Sequence, residues 1–436
     1  MVDGAQDAAP RTLLTAVAGR RGAWPAVSGT AVAVAAVVAM ALVLRLAWIA
    51  YSDWRPLPDD DAFRYDWFAR RLAEGAGFVH LNGKPTAFWP PGYALLLAPL
   101  YRLFGPDALW GQLLNAVLGA GAVALTFAIA RRAFGQRAGV VAAAIVAAFP
   151  SLVLFAGVTL SETAFTFFAL LALWLLLLEG GAGRPRLPIL MAAGVVTGFA
   201  ALVRGQALLF PLVALPFWFA ASRDLRASAA RLAVVAAFTV AAVAPWTIRN
   251  AIRMNAFVPI STNAGVDLWI GHHDGASGRG QMADALIYSR PDLDSVAGEV
   301  AVNAEGFREA VRFALDQPLT ELQLLPRKLF YLYYHDEEGL RWNDGHGGQP
   351  WIDPAEWNAL RWTSNAYYYA VLGLFAGGVI LARRRLLAPV PLLIVSFIGY
   401  WTAVHLVFFG DPRFHAPAMP LFAALAAVTV EKAFRR

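Results

Sequence analysis

The sequence predicts an all-α polytopic membrane protein of about ten crossings, and three observations carry that expectation. Of 436 residues, 58% are hydrophobic and only 15% charged, with a mean hydropathy of +0.53, whereas a soluble domain is nearer half apolar and a quarter charged. The apolar residues fall in runs of spanning length. The turns between runs alternate between arginine-bearing and arginine-poor, which is a topological code. The net charge of +6 is spent in those turns, so it does not point to nucleic acid. Cysteine is absent, which excludes disulfides, thiolate metal sites and a cysteine nucleophile.

The first run, from about Ser28 to Ala50, follows Arg11, Arg20 and Arg21. It is roughly twice the length of a signal-peptide core, so it reads as an uncleaved span entering from the cytoplasm. Arg45, near its far end, is expected to snorkel to the interface. The chain then emerges with Asp59, Asp60 and Asp61, three adjacent acids that repel one another and are costly to desolvate. Such a cluster belongs at a wet membrane surface, either capping a helix or offering a proton acceptor. Tyr65, Phe68, Ala69, Leu72 and Ala73 follow at helical spacing with charges between them, which predicts a short amphipathic helix on the surface. Gly75, Gly77 and Asn82-Gly83 break it, the rigid aromatic stretch Lys84 to Tyr93 follows, and a second interfacial helix from about Tyr93 to Phe104 leads back to the bilayer.

Six spans come next, at about Leu109 to Ala130, Ala138 to Phe149, Ser161 to Leu178, Leu187 to Ala201, Ala207 to Ala221 and Leu232 to Ile248. Arg131, Arg132, Arg137, then Arg184, Arg186, then Arg223, Arg226, Arg231 fall on one side, which the positive-inside rule makes cytoplasmic. The run near Ala138 is short, so the connection through Pro150 is expected partly within the bilayer. Three charged positions lie at external ends of spans: Glu162 after Ser161, which is placed to cap; Arg204; and Arg249 in Pro245 to Asn250. From Ala251 to Ser364 the chain is one external excursion containing Asp292, Asp294, Glu299, Glu305, Glu309, Asp316, Glu337, Glu338 and Asp344. A helix is expected around Arg308 to Phe313, ending at Pro318. His272, His273, His335 and His346 have no compact ligand spacing and read as loop histidines. Spans at about Asn365 to Leu381, Leu386 to Val407 and Pro417 to Val430 close the chain, with Arg383 to Arg385, Lys432, Arg435 and Arg436 returning inside. The division is therefore 1–250, a membrane module with a first external loop at 51–106; 251–364, external; and 365–436, terminal spans.

The residues carry a resemblance. Asp60-Asp61-x-x-x-Tyr65, Ala69, Leu72, Gly75-x-Gly77 and Pro90-Pro91-Gly92-Tyr93 resemble the first external loop of family 39 glycosyltransferases of the GT-C superfamily, close to bacterial relatives of protein O-mannosyltransferases and lipid A aminoarabinose transferases. Pro245 to Asn250, running on through Asn263, Gly265 and Gly271 to His272, is similar to a second signature of that family. Glu162 matches its second-loop acid, Arg204 its arginine, and Arg413-Phe414 its arginine-aromatic motif, with phenylalanine where tyrosine is usual.

The resemblance implies a GT-C fold and an inverting transfer of a sugar from a polyprenyl-phosphate donor to a hydroxyl-bearing envelope acceptor, at the external face of the cell membrane with both termini cytoplasmic. It implies Asp61, with Asp60, as catalytic acids, because Asp61 stands four residues before Tyr65. Arg249, Arg204 and Arg413 would hold the donor phosphate, and Glu162, Tyr65, Lys84, Asn263 and His272 would line the substrate cavity. No cofactor is implied; a divalent cation is compatible with the acids but not favoured by the resemblance. The alternative is a transporter or flippase of lipid-linked sugars, which would keep charges near mid-bilayer and often shows two related halves. Here the charges gather at one face and no internal repeat is seen.

Overall fold

The computed structural model describes residues 29–58, 60–280, 295–345 and 349–434. Arg11, Arg20, Arg21, Ser28, Asp59, Asp292, Asp294, His346, Arg435 and Arg436 lie outside the described residues. Within them the chain is helical, with two isolated β-bridges and no strand. The helices are α1 (Gly29–Tyr51), α2 (Asp61–Ala73), α3 (Gly92–Phe104), α4 (Ala108–Phe134), α5 (Gln136–Ala147), α6 (Pro150–Leu154), α7 (Glu162–Glu179), α8 (Leu187–Val203), α9 (Phe210–Val213), α10 (Leu215–Ser222) and α11 (Leu225–Met254). After them come α12 (Ala264–Ile270), α13 (Val296–Asp316), α14 (Pro318–Tyr333), α15 (Glu338–Asn343), α16 (Pro354–Ala382), α17 (Pro389–Val407) and α18 (Met419–Ala433).

Eight helical segments among the described residues are long and apolar enough to cross a membrane, and a ninth is the pair α5 with Pro150–Gly157, bent by 61°. The bend is the local cost of Pro150, whose missing N–H cannot continue the α5 ladder. It lies at the connection through Pro150 that the short apolar run singled out. The span expected from Leu187 to Ala201 forms α8, a 17-residue apolar helix. α8 packs along α11 at close range because Gly194 and Gly198, one turn apart, present no side chain: a Cβ at either would lie 2.6 Å from a side chain of α11.

Among the boundaries that differ from the sequence expectation, two border the external region. α11 runs through Pro245 to Met254, and α16 begins at Pro354, well before Asn365, with Asp353 accepting from the N–H of Ala355 as its cap. Both extensions are amphipathic continuations of apolar spans, and the charges in them mask the helix from a hydropathy count.

Arg45 is a plain correction. It does not snorkel; it is 1% exposed, one of only three buried residues of α1, and its Nη1 donates to the carbonyl of Ala41 at 2.9 Å. Gly119 of α4 makes the room, since a Cβ there would meet Arg45 Nε. The first loop is closed by α2 packing on α3 and by a small turn bridging Val79 to Pro85. Glu299, expected among solvated acids, is 1% exposed and ties that loop to α13. It accepts from Thr86 Oγ1 at 2.7 Å, Ala87 N–H at 2.9 Å and Thr262 Oγ1 at 2.5 Å, and meets His80 Nε2 at 3.1 Å.

Candidate active site

At the end of the bundle that carries the first loop, two acids and two arginines from four distant stretches converge. Asp61 is the first residue of α2, Glu162 the first of α7, Arg204 caps the end of α8, and Arg413 lies in the 3-10 turn Pro412–Ala418 before α18. Arg413 Nη1 donates to Asp61 Oδ2 at 2.8 Å, while its Nε donates to Glu162 Oε1. Arg204 donates to the same Glu162 oxygen and, through Nε, to Ser161 Oγ at 3.2 Å. Glu162 is 2% exposed, and its Oε2 is buried without a hydrogen-bond partner. Aromatic faces back the cations: Arg413 lies 4.4 Å from the Trp342 ring centroid and Arg204 5.5 Å from that of Phe414. Phe414 acts here through its ring face, for which a phenolic hydroxyl is not required.

Tyr65 joins the group by donating to Ser161 Oγ at 3.3 Å. Ser161 therefore receives from a tyrosine and an arginine, and it makes no cap bond to α7. Asp60 stands behind, as the N-cap of α2: Oδ1 accepts from Phe63 N–H at 2.7 Å and Oδ2 from Leu57 N–H at 3.2 Å. Burial pushes its carboxyl up to about 6, with those two bonds opposing and Asp61 adding to the rise. Asp61 is shifted the other way. Burial alone would raise it, but the Arg413 charge and hydrogen bond, the Trp89 indole donating at 3.2 Å and the more remote Arg204 together hold it below the usual carboxylate range.

The other expected residues sit elsewhere. Arg249 is not brought onto the acids: its Nη1 donates to the Thr86 carbonyl and its Nη2 to the Phe78 carbonyl, both at 2.7 Å, and its plane lies 4.7 Å from the Trp246 ring. It braces the first loop by the backbone. Lys84 is exposed at the tip of the 79–85 turn. His272 belongs to a separate group, with Nδ1 2.7 Å from Glu321 Oε1 and Nε2 3.1 Å from Lys328 Nζ, so it is no free loop histidine. Burial lowers that lysine to about 8, Glu321 opposing. Asn263 donates to Asp267 Oδ2 at 3.1 Å.

Asp267, in the first turn of α12, is the residue that sequence reasoning missed. Burial pushes its carboxyl up to about 7, as does the neighbouring Asp61 charge, while Arg204 and Arg413 pull it down. Its only sequence signal was to be an acid inside a stretch read for its asparagine, glycines and histidine. Among the described residues no group of three or more His, Asp or Glu side chains is arranged to hold a metal ion.

The profile described as dolichyl-phosphate-mannose-protein mannosyltransferase matches residues 89–248. The structure is similar to the oligosaccharyltransferase AglB from Archaeoglobus fulgidus in complex with an inhibitory peptide and a dolichol-phosphate, with 15% identity and a TM-score of 0.58, over 93% of this chain and 50% of that one. The chain shares the fold of that oligosaccharyltransferase. It spans about half the length of that archaeal enzyme. A looser likeness is to ArnT from Cupriavidus metallidurans bound to undecaprenyl phosphate, 19% identical with a TM-score of 0.46, over 94% of this chain and 79% of that one. No curated protein matches the chain. The chain gathers its paired arginines and acids at one end of its helices.

Proposed function

We propose that the chain is an inverting glycosyltransferase that moves a sugar from a polyprenyl-phosphate carrier to a hydroxyl acceptor of the cell envelope. The single observation that supports it is Arg413, whose guanidinium bridges Asp61 and Glu162 while Arg204 backs the same Glu162 oxygen. Two guanidiniums fixed by one buried carboxylate form a rigid cationic fork, suited to a phosphate monoester-like headgroup. AglB, whose fold this chain shares, holds a dolichol-phosphate. In the reaction the acceptor oxygen bonds to the anomeric carbon as the bond to the phosphate oxygen breaks. The electron pair goes to the phosphate, which the arginines stabilise without a general acid. The acceptor proton goes to a carboxylate of the site, for which the family resemblance points to Asp61.

Transfer from a panel of polyprenyl-phosphate hexoses and pentoses, with envelope extract as acceptor, tests the reading, alongside binding of undecaprenyl phosphate to the purified chain. Wild type is expected to bind and transfer, and Asp61→Asn to lose at least ~100-fold in transfer. A chain that neither binds undecaprenyl phosphate nor consumes any donor ends the reading.

The site is proposed to face outward, with the termini inside. In this cysteine-free chain, single cysteines at Asn82 and Arg184, both exposed, settle the orientation. An impermeant thiol reagent on intact cells should label the first and spare the second; the reverse pattern inverts the topology.

A further inference from the structure

α14 belongs to the region expected outside the membrane, yet its faces do not all suit water. Leu324, Lys328 and Leu332, each one turn from the next, are its buried face. Gln323 and Arg327 lie on one flank of that face. On the other flank Leu322, Leu325 and Leu329 are exposed, and Leu319 and Phe330 are exposed on the side turned away from the body. Tyr333 belongs to the apolar flank, and its hydroxyl meets Thr402 Oγ1 of α17 at 2.8 Å. A stripe that packs on a membrane span at one end therefore continues uncovered along the helix.

Two contacts set its depth. Thr402 lies within α17, which ends at Val407. Back along α14, the buried Lys328 Nζ is 3.1 Å from His272 Nε2, the same nitrogen that meets the Val407 carbonyl. α14 thus runs down beside α17, with Lys328 level with the end of the span and Tyr333 roughly 7 Å below it. Leu329 and Phe330 are exposed at the depth of that apolar span.

Beside this stripe an open groove of about 360 Å³ is lined by Ser277, Pro326, Arg327, Phe330 and Tyr331. Gly278 brings the chain there against α14: its φ is +87°, and a Cβ would lie 2.9 Å from that of Arg327. Arg327 is exposed and, among the described residues, has no hydrogen bond or ion pair. Ser277 Oγ accepts from the Arg279 N–H at 3.2 Å, and among the described residues neither its proton nor the Tyr331 hydroxyl is committed. No carboxylate lines the groove, since Glu321 of the same helix is turned onto His272. A cation and two hydroxyls therefore lie where the span ends, directly above bare apolar side chains. That is the order of a phospholipid, phosphate above acyl chains.

We propose that α14 is seated in the leaflet on the site's side of the membrane and that its groove holds the phosphate of an anionic phospholipid. Arg327 and the Ser277 and Tyr331 hydroxyls donate to the phosphate oxygens, and the acyl chains run down past Phe330 and Leu329. A second copy of the chain would cover the stripe but leave Arg327 without an anion. The lipid steadies a helix that reaches the site: the Leu332 carbonyl accepts from His415 Nδ1 at 2.8 Å, and His415 shares its 3-10 turn with Arg413. The inference stands apart from the transfer reaction proposed above.

The seating is tested on the full chain in bilayers of phosphatidylglycerol and phosphatidylcholine, with nitroxide labels on single cysteines at Leu319, Leu329 and Phe330 of this cysteine-free protein. Labels at Val43, exposed on α1, and at Asn82, exposed on the first-loop turn, are the lipid and water references. Leu329 and Phe330 should match Val43 in favouring collision with oxygen over a water-soluble nickel chelate, and Leu319 should fall between the references. Water-like accessibility at Leu329 and Phe330, or dipolar broadening between labels on neighbouring copies, overturns the seating. The headgroup is tested by counting, with mass spectrometry, the lipids retained by the purified protein. Arg327 is exposed, so its substitution leaves the core intact. Arg327→Gln should lower retained phosphatidylglycerol relative to phosphatidylcholine about fivefold, and Arg327→Lys should recover part of it. Excess inorganic phosphate should displace none. Equal retention in Arg327→Gln, or displacement by inorganic phosphate, overturns the lipid assignment.

Discussion

The two ends of α7 carry the same pair of residue types in opposite conditions. At its last residue, Glu179 pairs with Arg231 of α11 at 2.9 Å, both side chains wholly buried. Everything there is satisfied: Arg231 also donates to the carbonyls of Ala227 at 3.2 Å and Gly183 at 2.8 Å, and Glu179 Oε2 accepts from Gly181 N–H at 2.9 Å. At the first residue, Glu162 shares one oxygen between two arginines, leaves the other unpartnered, and passes Arg413 on to a half-exposed Asp61. A closed ion pair is a brace, because nothing can enter without breaking a bond already made. An open one retains donors and acceptors for a ligand, at a cost in stability that the rest of the bundle carries.

Paired substitutions break that comparison most directly. Glu162→Gln should reduce transfer ~100-fold or more in molecules that remain folded, since it unfixes both arginines and misplacement by about 1 Å is that costly. Glu179→Gln should cost about 3–5 kcal/mol in stability, as removal of one partner of a buried pair does, with transfer per folded molecule unchanged. Thermal melts in detergent and active-fraction-corrected rates decide it; equal activity losses would mean that both ends serve the site.

Arg249→Lys gives a smaller effect. Its planar fork grips two carbonyls of the first loop, and an ammonium cannot span both. The expected cost is about 1–3 kcal/mol of loop stability, read as faster proteolysis between Phe78 and Thr86, with undecaprenyl phosphate affinity unchanged. Weakened affinity would return Arg249 to the donor phosphate.

Smallest is Asp60→Asn. Asp60 titrates near 6 when folded, against about 4 unfolded, so its contribution is fully present below about 4 and is lost as pH rises through about 6. Asparagine caps a helix as well and does not titrate. The variant should flatten stability between about pH 4 and 6 and change transfer at pH 7 by less than about threefold. A large loss of transfer would give Asp60 a chemical role beyond its cap.

The spans, the two interfacial helices and four members of the site were legible because apolar length and the placement of charge at span ends are one-dimensional properties. Asp61, Glu162, Arg204 and Arg413 all lie where a run of apolar residues stops. What sequence position does not encode is which way a side chain turns. Arg249 occupies the same kind of boundary as Arg204 yet grips carbonyls of the first loop. Arg45 lies close enough to a span end to snorkel, but its helix face meets Gly119 and it is buried. Glu299 looks like any acid of a water-exposed region, and only the folded chain reveals three groups of the first loop, with Thr262, waiting for it. Asp267 was hidden by its neighbours, an acid within a stretch read for Asn263, its glycines and His272.

Asp61 and Arg413 are 352 residues apart in the chain. A ribosome adding about 5–20 residues each second therefore delivers the arginine tens of seconds after the acid has emerged. Through that interval the carboxylate of Asp61 has been made but the cation that pairs with it has not. Synthesis itself thus acts as a timer: the site stays incomplete until the chain has been made past Arg413, and a nascent chain stalled or clipped before that residue lacks the cation that joins Asp61 to Glu162.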